Sequence, residues 1–170
     1  TLQQKGLIDV YSRINIARNR LVLAGSEFEL RSINFQTTKH VSAFTDHSDG
    51  FSFIMGDADD TAEGSYADAA LKTYHSVDML NPYILRYHDS FQMINAISRY
   101  HTMGIVFHSD ALLFPEIKEM SFFKPKDHPA IRYQGVVIAG EKMDNSRLFL
   151  TYLVSEEAKH IFKTFGFDPV

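Results

Sequence analysis

Short apolar runs closed by glycine or a turn residue, alternating with stretches of helical period, constrain this chain more than any other feature. Arg20-Leu-Val-Leu-Ala24 stops at Gly25, Phe51-Ser-Phe-Ile-Met55 at Gly56-Asp57, and Ile131 to Ala139 at Gly140; Gly104-Ile-Val-Phe107 is a fourth such run. Runs this short and this apolar read as strands buried on both faces. Between them, Tyr66, Ala69, Ala70 and Leu71 fall on one side of an amphipathic helix spanning Ser65 to Tyr74 and beginning just past Gly64. Asp89 and Gln92 stand at capping-box spacing ahead of a helix that turns Met93, Ile94, Ile97 and Tyr100 inward. Strand, helix, strand, helix, strand implies an α/β fold with a mostly parallel sheet flanked by helices.

Other segments fill in the order. Leu7, Ile8, Tyr11, Ile14 and Ile16 come close to helical spacing and predict a helix over residues 2–17. Thr37 to Phe44 reads as a short helix capped by Thr37 or Thr38. Tyr83-Ile-Leu85 reads as a short strand, and Ile117 to Phe123 as an edge strand before the turn-rich Lys124–Pro129. Two helices finish the chain. Asp144 or Asn145 caps the first, with an apolar stripe of Leu148, Phe149, Tyr152 and Leu153. Ser155 caps the second, whose buried face is Ala158, Ile161, Phe162 and Phe165 and which Gly166 ends. Ligands of such sheets sit beyond the carboxyl ends of the strands, near helix N-termini. That rule selects the Asp57–Ser65 loop, the His88–Ser90 turn and the Phe107–Asp110 segment.

Composition narrows the function. The 170 residues make one domain or two small lobes, and 45% hydrophobic with 13% aromatic residues is enough for a real core. The formal charge is −4 with basic residues scattered, which argues against nucleic acid or an anionic membrane as partner. No signal peptide is visible at Thr1. There is no cysteine, so thiolate zinc sites, thiol nucleophiles and disulfides are excluded, and the chain suits an oxidising compartment such as the periplasm. Of the eight histidines, His40 and His47 are seven apart, as are His101 and His108, a spacing that makes no short metal motif; they read as surface and packing residues. The Asp57-Ala-Asp59-Asp60 run lacks the glycine and distal glutamate of a calcium loop and reads as solvated, with Asp57 bracing its loop and Asp110 a cap or turn residue. Nothing nominates a nucleophile with its base. The chain reads as a binding module and not an enzyme, with no metal and no cofactor.

Four stretches together resemble the periplasmic molybdate-binding family of type II solute-binding proteins. They are Ala17 to Leu23, Gly56-Asp-Ala-Asp-Asp-Thr-Ala-Glu-Gly-Ser-Tyr-Ala-Asp-Ala-Ala-Leu71, Gly104-Ile-Val-Phe-His-Ser-Asp-Ala111, and Ile131-Arg-Tyr onward through Phe149-Leu-Thr-Tyr-Leu153 to Phe-Gly-Phe167. The resemblance implies two lobes joined by two crossover strands and closing on a tetrahedral oxyanion such as molybdate or tungstate. It implies an ABC permease as partner and a periplasmic, or lipid-anchored extracytoplasmic, location. It divides the chain into residues 1–20, a remnant of lobe one and a crossover; 21–138, the ligand-binding lobe two; and 139–170, helices that pack on lobe one. Most of lobe one has no counterpart, so the apolar faces of the last helices are expected to be covered by an N-terminal segment or by self-association.

The resemblance also places the ligand site. Glu63 and Gly64 fall on one amide-donating loop, Ser90 on a second, and Phe107 where the family has a tyrosine hydroxyl. Phe107 offers no hydroxyl, and Glu63 replaces a small residue with a carboxylate beside an anion. Ser65, Tyr66 and His108 are the substitute donors; for Ser65 and Tyr66 the alternative is helix capping and core packing, and for Phe107 it is plain packing. Two rivals share the fold: a cytoplasmic ligand-sensing domain of a transcription regulator, and a non-binding association module.

Overall fold

The computed structural model describes residues 2–26, 53–73 and 81–170. The expected helix over Thr37 to Phe44, together with Phe51, Ser52 and Tyr74, lies outside the described residues. The chain divides into two compact units, Thr1–Asn19 with Ile131–Val170, and Arg20–Ala130.

The Arg20–Ala130 unit is built on a five-stranded sheet. Its strands are β2 (Leu21–Ser26), β3 (Phe53–Gly56), β4 (Ile84–Tyr87), β5 (Met103–Phe107) and β6 (Ile117–Phe122), in the order β4-β3-β5-β2-β6. β4, β3 and β5 are parallel, β2 is antiparallel to β5, and β6 is antiparallel to β2, so only β2 runs against the rest. Every residue of β2, β3 and β5 is buried, which is why these strands are apolar without alternation. Side chains still alternate between faces. Val22, Ala24, Ile54 and Val106 join Met93, Ile94, Ala96 and Ile97 of α2 (Ser90–Arg99) in one core cluster. The intervening positions, among them Leu21, Phe53, Met55, Ile105 and Phe107, turn to the other face. There α1 (Ala62–Thr73) packs through Ala67, Ala70 and Leu71, with Tyr66 6.2 Å from Phe107 between ring centres. The edge strand expected over Ile117 to Phe123 is present: β6 lies at one edge of the sheet and follows the short helix α3 (His108–Leu113).

The ends of α2 are set by side chain and backbone in turn. Asp89 accepts from Gln92 N at 2.8 Å at the start. At the far end Thr102 N donates to Ile97 O and His101 N to Ser98 O, with His101 in the left-handed region at φ 50°. That is the double-bond closure usually given to glycine, and it gives His101 a structural task.

The other unit corrects the sequence reading at three points. Residues 8–18 form not a helix but an eleven-residue strand, β1 (Ile8–Arg18), antiparallel to β7 (Arg132–Ile138) and to the short β8 (Asp168–Pro169). Ile8, Val10, Ile14 and Ile16 are β-branched and favour a strand. Register shifts between Asp9 and Ile14 and between Asn15 and Ala17 break the two-residue alternation, leaving a spacing that mimics a helix. β7 therefore pairs within this unit and not with the five-stranded sheet. Second, α4 (Met143–Tyr152) starts before Asp144, with Lys142 in the cap position and no side-chain cap bond. Asp144 instead sits in the first turn, paired at 3.4 Å with Arg147, which also reaches Asp9 at 2.9 Å.

Third, the last two helices bury less than their stripes suggest. Leu150 is the buried residue of α4, set against Gly135 of β7, while Leu148 and Phe149 are 70% and 61% exposed. In α5 (Glu156–Thr164) Ser155 caps as expected, accepting from Ala158 N, and Gly166 ends the helix at φ 82°. Of its predicted buried face Ala158 alone is buried; Ile161 and Phe165 are exposed and Phe162 lies between. Among the described residues no helix is long and apolar enough to cross a membrane.

Candidate functional site

Three adjacent parallel strands, β4, β3 and β5, deliver three loops to one edge of the sheet. Pairing of β3 with β4 continues past the strand as Asp57 N donates to Tyr87 O at 2.7 Å. His88 and Asp60, one from each loop, then pair at 2.5 Å. The beginnings of α1 and α2 are thus held side by side.

Thr61 organises the first loop. Its N–H and its hydroxyl both donate to Asp57 O, at 2.9 and 2.8 Å, and its Oγ1 accepts from Gly64 N at 3.1 Å. Thr61 is therefore the cap of α1, and the Gly64 amide is occupied by it. Asp57 accepts from Asp59 N at 2.9 Å and so braces the loop. Ser65 N donates to Thr61 O and starts the helical ladder. Helix starts leave orphan amides, and here those are Ala62 and Glu63. At α2 the cap Asp89 takes Gln92 N, and Met93 N donates to Asp89 O, so the corresponding amides are Ser90 and Phe91.

The third loop is ordered by side chains. His108 N donates to Arg20 O; Arg20 Nη2 lies 2.8 Å from His108 Nε2, and His108 Nδ1 lies 2.6 Å from Glu119 Oε2. A guanidinium can only donate, so the imidazole accepts at Nε2 and donates at Nδ1. Both ring nitrogens are occupied within the protein. Phe107 is 6% exposed and packs against Tyr66, whose ring also lies 6.3 Å from that of His128. Ser65 is exposed on α1. Of the residues singled out by sequence, Tyr66 packs on Phe107, Glu63 and Gly64 lie in the first turn of α1 with Gly64 against the Gly56–Asp57 backbone, Ser90 lies at the start of α2, and His108 begins α3.

Two features escaped the sequence reading. Thr61, three residues before Gly64, has the spacing of an N-cap and could have been found by it. Asp110 lies in the first turn of α3, half-buried, and its carboxyl is pushed up from the usual 3.8 to about 6 by burial, then by the charge of Glu63; the Ser109 hydroxyl pulls the other way. A carboxyl whose folded value is raised costs nothing below its unfolded value and costs stability once pH passes the folded one. Asp110→Asn is therefore expected to stabilise the fold by about 1–2 kcal/mol at pH 8, below the roughly 3 kcal/mol of the full shift because the group is partly solvated. The gain should shrink between pH 6 and 4. Equal urea midpoints for both proteins at pH 8 would remove the burial argument.

Asp57, Asp60 and His88 have ligand-type atoms within 4.8 Å of one another. The His88–Asp60 pair and the bracing role of Asp57 account for that grouping.

A five-stranded sheet with one reversed strand, flanked by helices and joined twice to a second unit, defines the type II periplasmic binding-protein class. The family model described as bacterial extracellular solute-binding protein matches residues 1–168, and the chain belongs to that family. The molybdate-binding protein ModA of Escherichia coli is 27% identical over 164 residues, 96% of this chain and 63% of the relative. That of Haemophilus influenzae is 24% identical over 158 residues, 92% of this chain and 60% of the relative. The chain thus spans about three-fifths of the curated relatives it matches. Among solved structures, the substrate-binding domain of a putative molybdenum ABC transporter from Clostridium difficile superposes with a TM-score of 0.81 at 24% identity, covering 99% of this chain and 71% of that one. The periplasmic molybdate-binding protein of Azotobacter vinelandii gives 0.73 at 17%, covering 98% and 71%. The family resemblance carried by the four sequence stretches is borne out.

Proposed function

We propose that this chain is the solute-binding component of an ABC importer, which takes a tetrahedral oxyanion of the molybdate or tungstate kind between two lobes outside the cytoplasm and presents it to a membrane permease. One observation carries the reading: the starts of α1 and α2 lie side by side at the carboxyl edge of β3 and β4, with the amides of Ala62, Glu63, Ser90 and Phe91 in the first turns. Neutral donors at paired helix N-termini suit a compact anion, because partial charges and geometry hold it without a fixed counter-ion. The molybdate-binding names of the relatives support the same class of solute. Two crossings between the units, at Asn19–Arg20 and Ala130–Ile131, are where a lobe-closing motion would be absorbed.

A ligand that binds the native state alone stabilises it by about 2.7 kcal/mol at a hundredfold excess over Kd. Thermal unfolding of the full-length protein is therefore expected to shift upward by roughly 5–10 °C with at least one of molybdate, tungstate, sulfate or phosphate. An unchanged midpoint with all four would defeat the reading.

A further inference from the structure

Asn19 and Arg20 are neighbours in sequence, yet they belong to different compact units. Asn19 is 6% exposed and is tied twice to the returning chain of its own unit. Its N–H donates to Ile131 O at 3.3 Å, and its Nδ2 donates to the Tyr133 hydroxyl at 3.2 Å. The strand ladder explains the second bond. Ala17 stands opposite Tyr133 in the pairing of β1 with β7, and Asn19, two residues on, falls on the same face of an extended chain. Tyr133 is itself held: its ring meets that of Phe167 edge-on at 5.2 Å, and Phe167 meets Phe162 at 6.0 Å.

Arg20 is gripped by the other unit. Its carbonyl accepts from His108 N at 3.0 Å, and its Nη2 donates to His108 Nε2 at 2.8 Å. The next residue, Leu21, is fully buried and pairs with Phe107 in the sheet. A trans peptide is planar, so the soft dihedrals between the two grips are ψ of Asn19 and φ of Arg20. The returning crossing is bounded in the same way. Ile131 is buried and bonded to Asn19; two residues earlier the ring of Pro129 fixes φ, and its carbonyl accepts from His128 Nδ1 at 2.8 Å. The bond from Asn19 N to Ile131 O sets the two crossings side by side.

We propose that Asn19 is a positioning residue for solute capture: through Tyr133 and Ile131 it confines lobe closure to these few dihedrals, so that the units turn about one axis. The inference rests on the solute-binding reading above and names what guides its closing motion. Without the side-chain bond, the open protein samples orientations that do not lead to the closed one. Apparent affinity falls with the fraction of molecules able to close, and ordering a looser crossing costs entropy.

The test is calorimetric titration of full-length wild type, Tyr133→Phe, Asn19→Ala and the double variant with molybdate and with tungstate, alongside urea unfolding. Tyr133→Phe removes one oxygen from a residue 38% exposed, so it carries the test if Asn19→Ala folds poorly. Affinity is expected to fall by about 3- to 10-fold in each single variant. The double variant should bind no worse than the weaker single, because the same bond is lost in all three. Small-angle scattering should give the variants a larger radius of gyration than wild type without solute and the same radius with it. Unchanged affinity in both singles, losses that add in full, or a lower urea midpoint with affinity and radius unmoved overturns the role of Asn19 and leaves the oxyanion reading standing. A wild type that binds neither anion overturns both.

Discussion

Gly64→Ala is expected to lower the unfolding free energy by about 2–3 kcal/mol, although it places the best helix former inside a helix. Two effects compete. In a helix alanine gains up to about 1 kcal/mol over glycine. Against that, a Cβ at position 64 would lie 2.5 Å from Asp57 O and as close to the Gly56 carbonyl. Both are backbone atoms, so no rotamer change relieves the contact. The Asp57–Thr61 loop must move instead, and with it the two bonds Thr61 makes to Asp57 O and the cap it supplies to Gly64 N. The clash outweighs the propensity gain. The same shift displaces the Ala62 and Glu63 amides, so solute affinity should fall with stability. Ser65→Ala, one residue on and exposed, should change stability by less than about 0.5 kcal/mol. Urea unfolding of the two variants decides the matter: a Gly64→Ala protein as stable as Ser65→Ala would show that the loop yields freely.

The parts of this fold legible in sequence are those where one local rule acts alone. β2, β3 and β5 are buried on both faces, so their apolar runs needed no periodicity to be seen. Asp89, Ser155 and Gly166 each carry out the capping or closing role that their residue type and spacing announce. β1 was misread because two register shifts disturb its alternation, and a disturbed period of two passes for one near 3.6. The buried faces assigned to α4 and α5 failed differently: an apolar stripe states what a helix can bury, and leaves open what lies against it; here Leu150 and Ala158 are the buried residues of the two helices.

The site divides along the same line. Gly64, Ser90 and Phe107 were placed by motif, and their loops do meet at one sheet edge because β4, β3 and β5 are parallel neighbours. What sequence could not supply was connectivity between loops. The Arg20–His108–Glu119 chain joins residues 88 and 11 positions apart, and the influence of Glu63 on Asp110 crosses from one helix start to another. Such pairings follow from strand order, which no local spacing encodes. They also change the chemistry, since they occupy both nitrogens of His108 and help to push up the Asp110 carboxyl.

Ile97→Ala is expected to cost about 3–4 kcal/mol, toward the upper part of the range for emptying a buried aliphatic site. Ile97 is fully buried in the cluster formed by α2 with Val22, Ala24, Ile54 and Val106. The sheet beneath it cannot collapse into the space, because Gly104 has already brought helix and strand as close as they can come. A Cβ built at Gly104 would lie 2.5 Å from Ile97 Cδ1 and 2.5 Å from Ile54 O. Gly104→Ala alone should therefore cost about 1–3 kcal/mol by overpacking. Combined, the two substitutions meet in one space: the new methyl enters the volume that Ile97 vacates, while its contact with the Ile54 carbonyl remains. The double variant should then lose about 1 kcal/mol less than the sum of the singles, a coupling expected of residues that share a cavity. Chemical unfolding of the four proteins measures it directly. Strict additivity would mean that α2 shifts away from the sheet as a body when Gly104 is enlarged, and that the close approach of α2, which sets where the Ser90 and Phe91 amides stand, is not enforced by Ile97 at all.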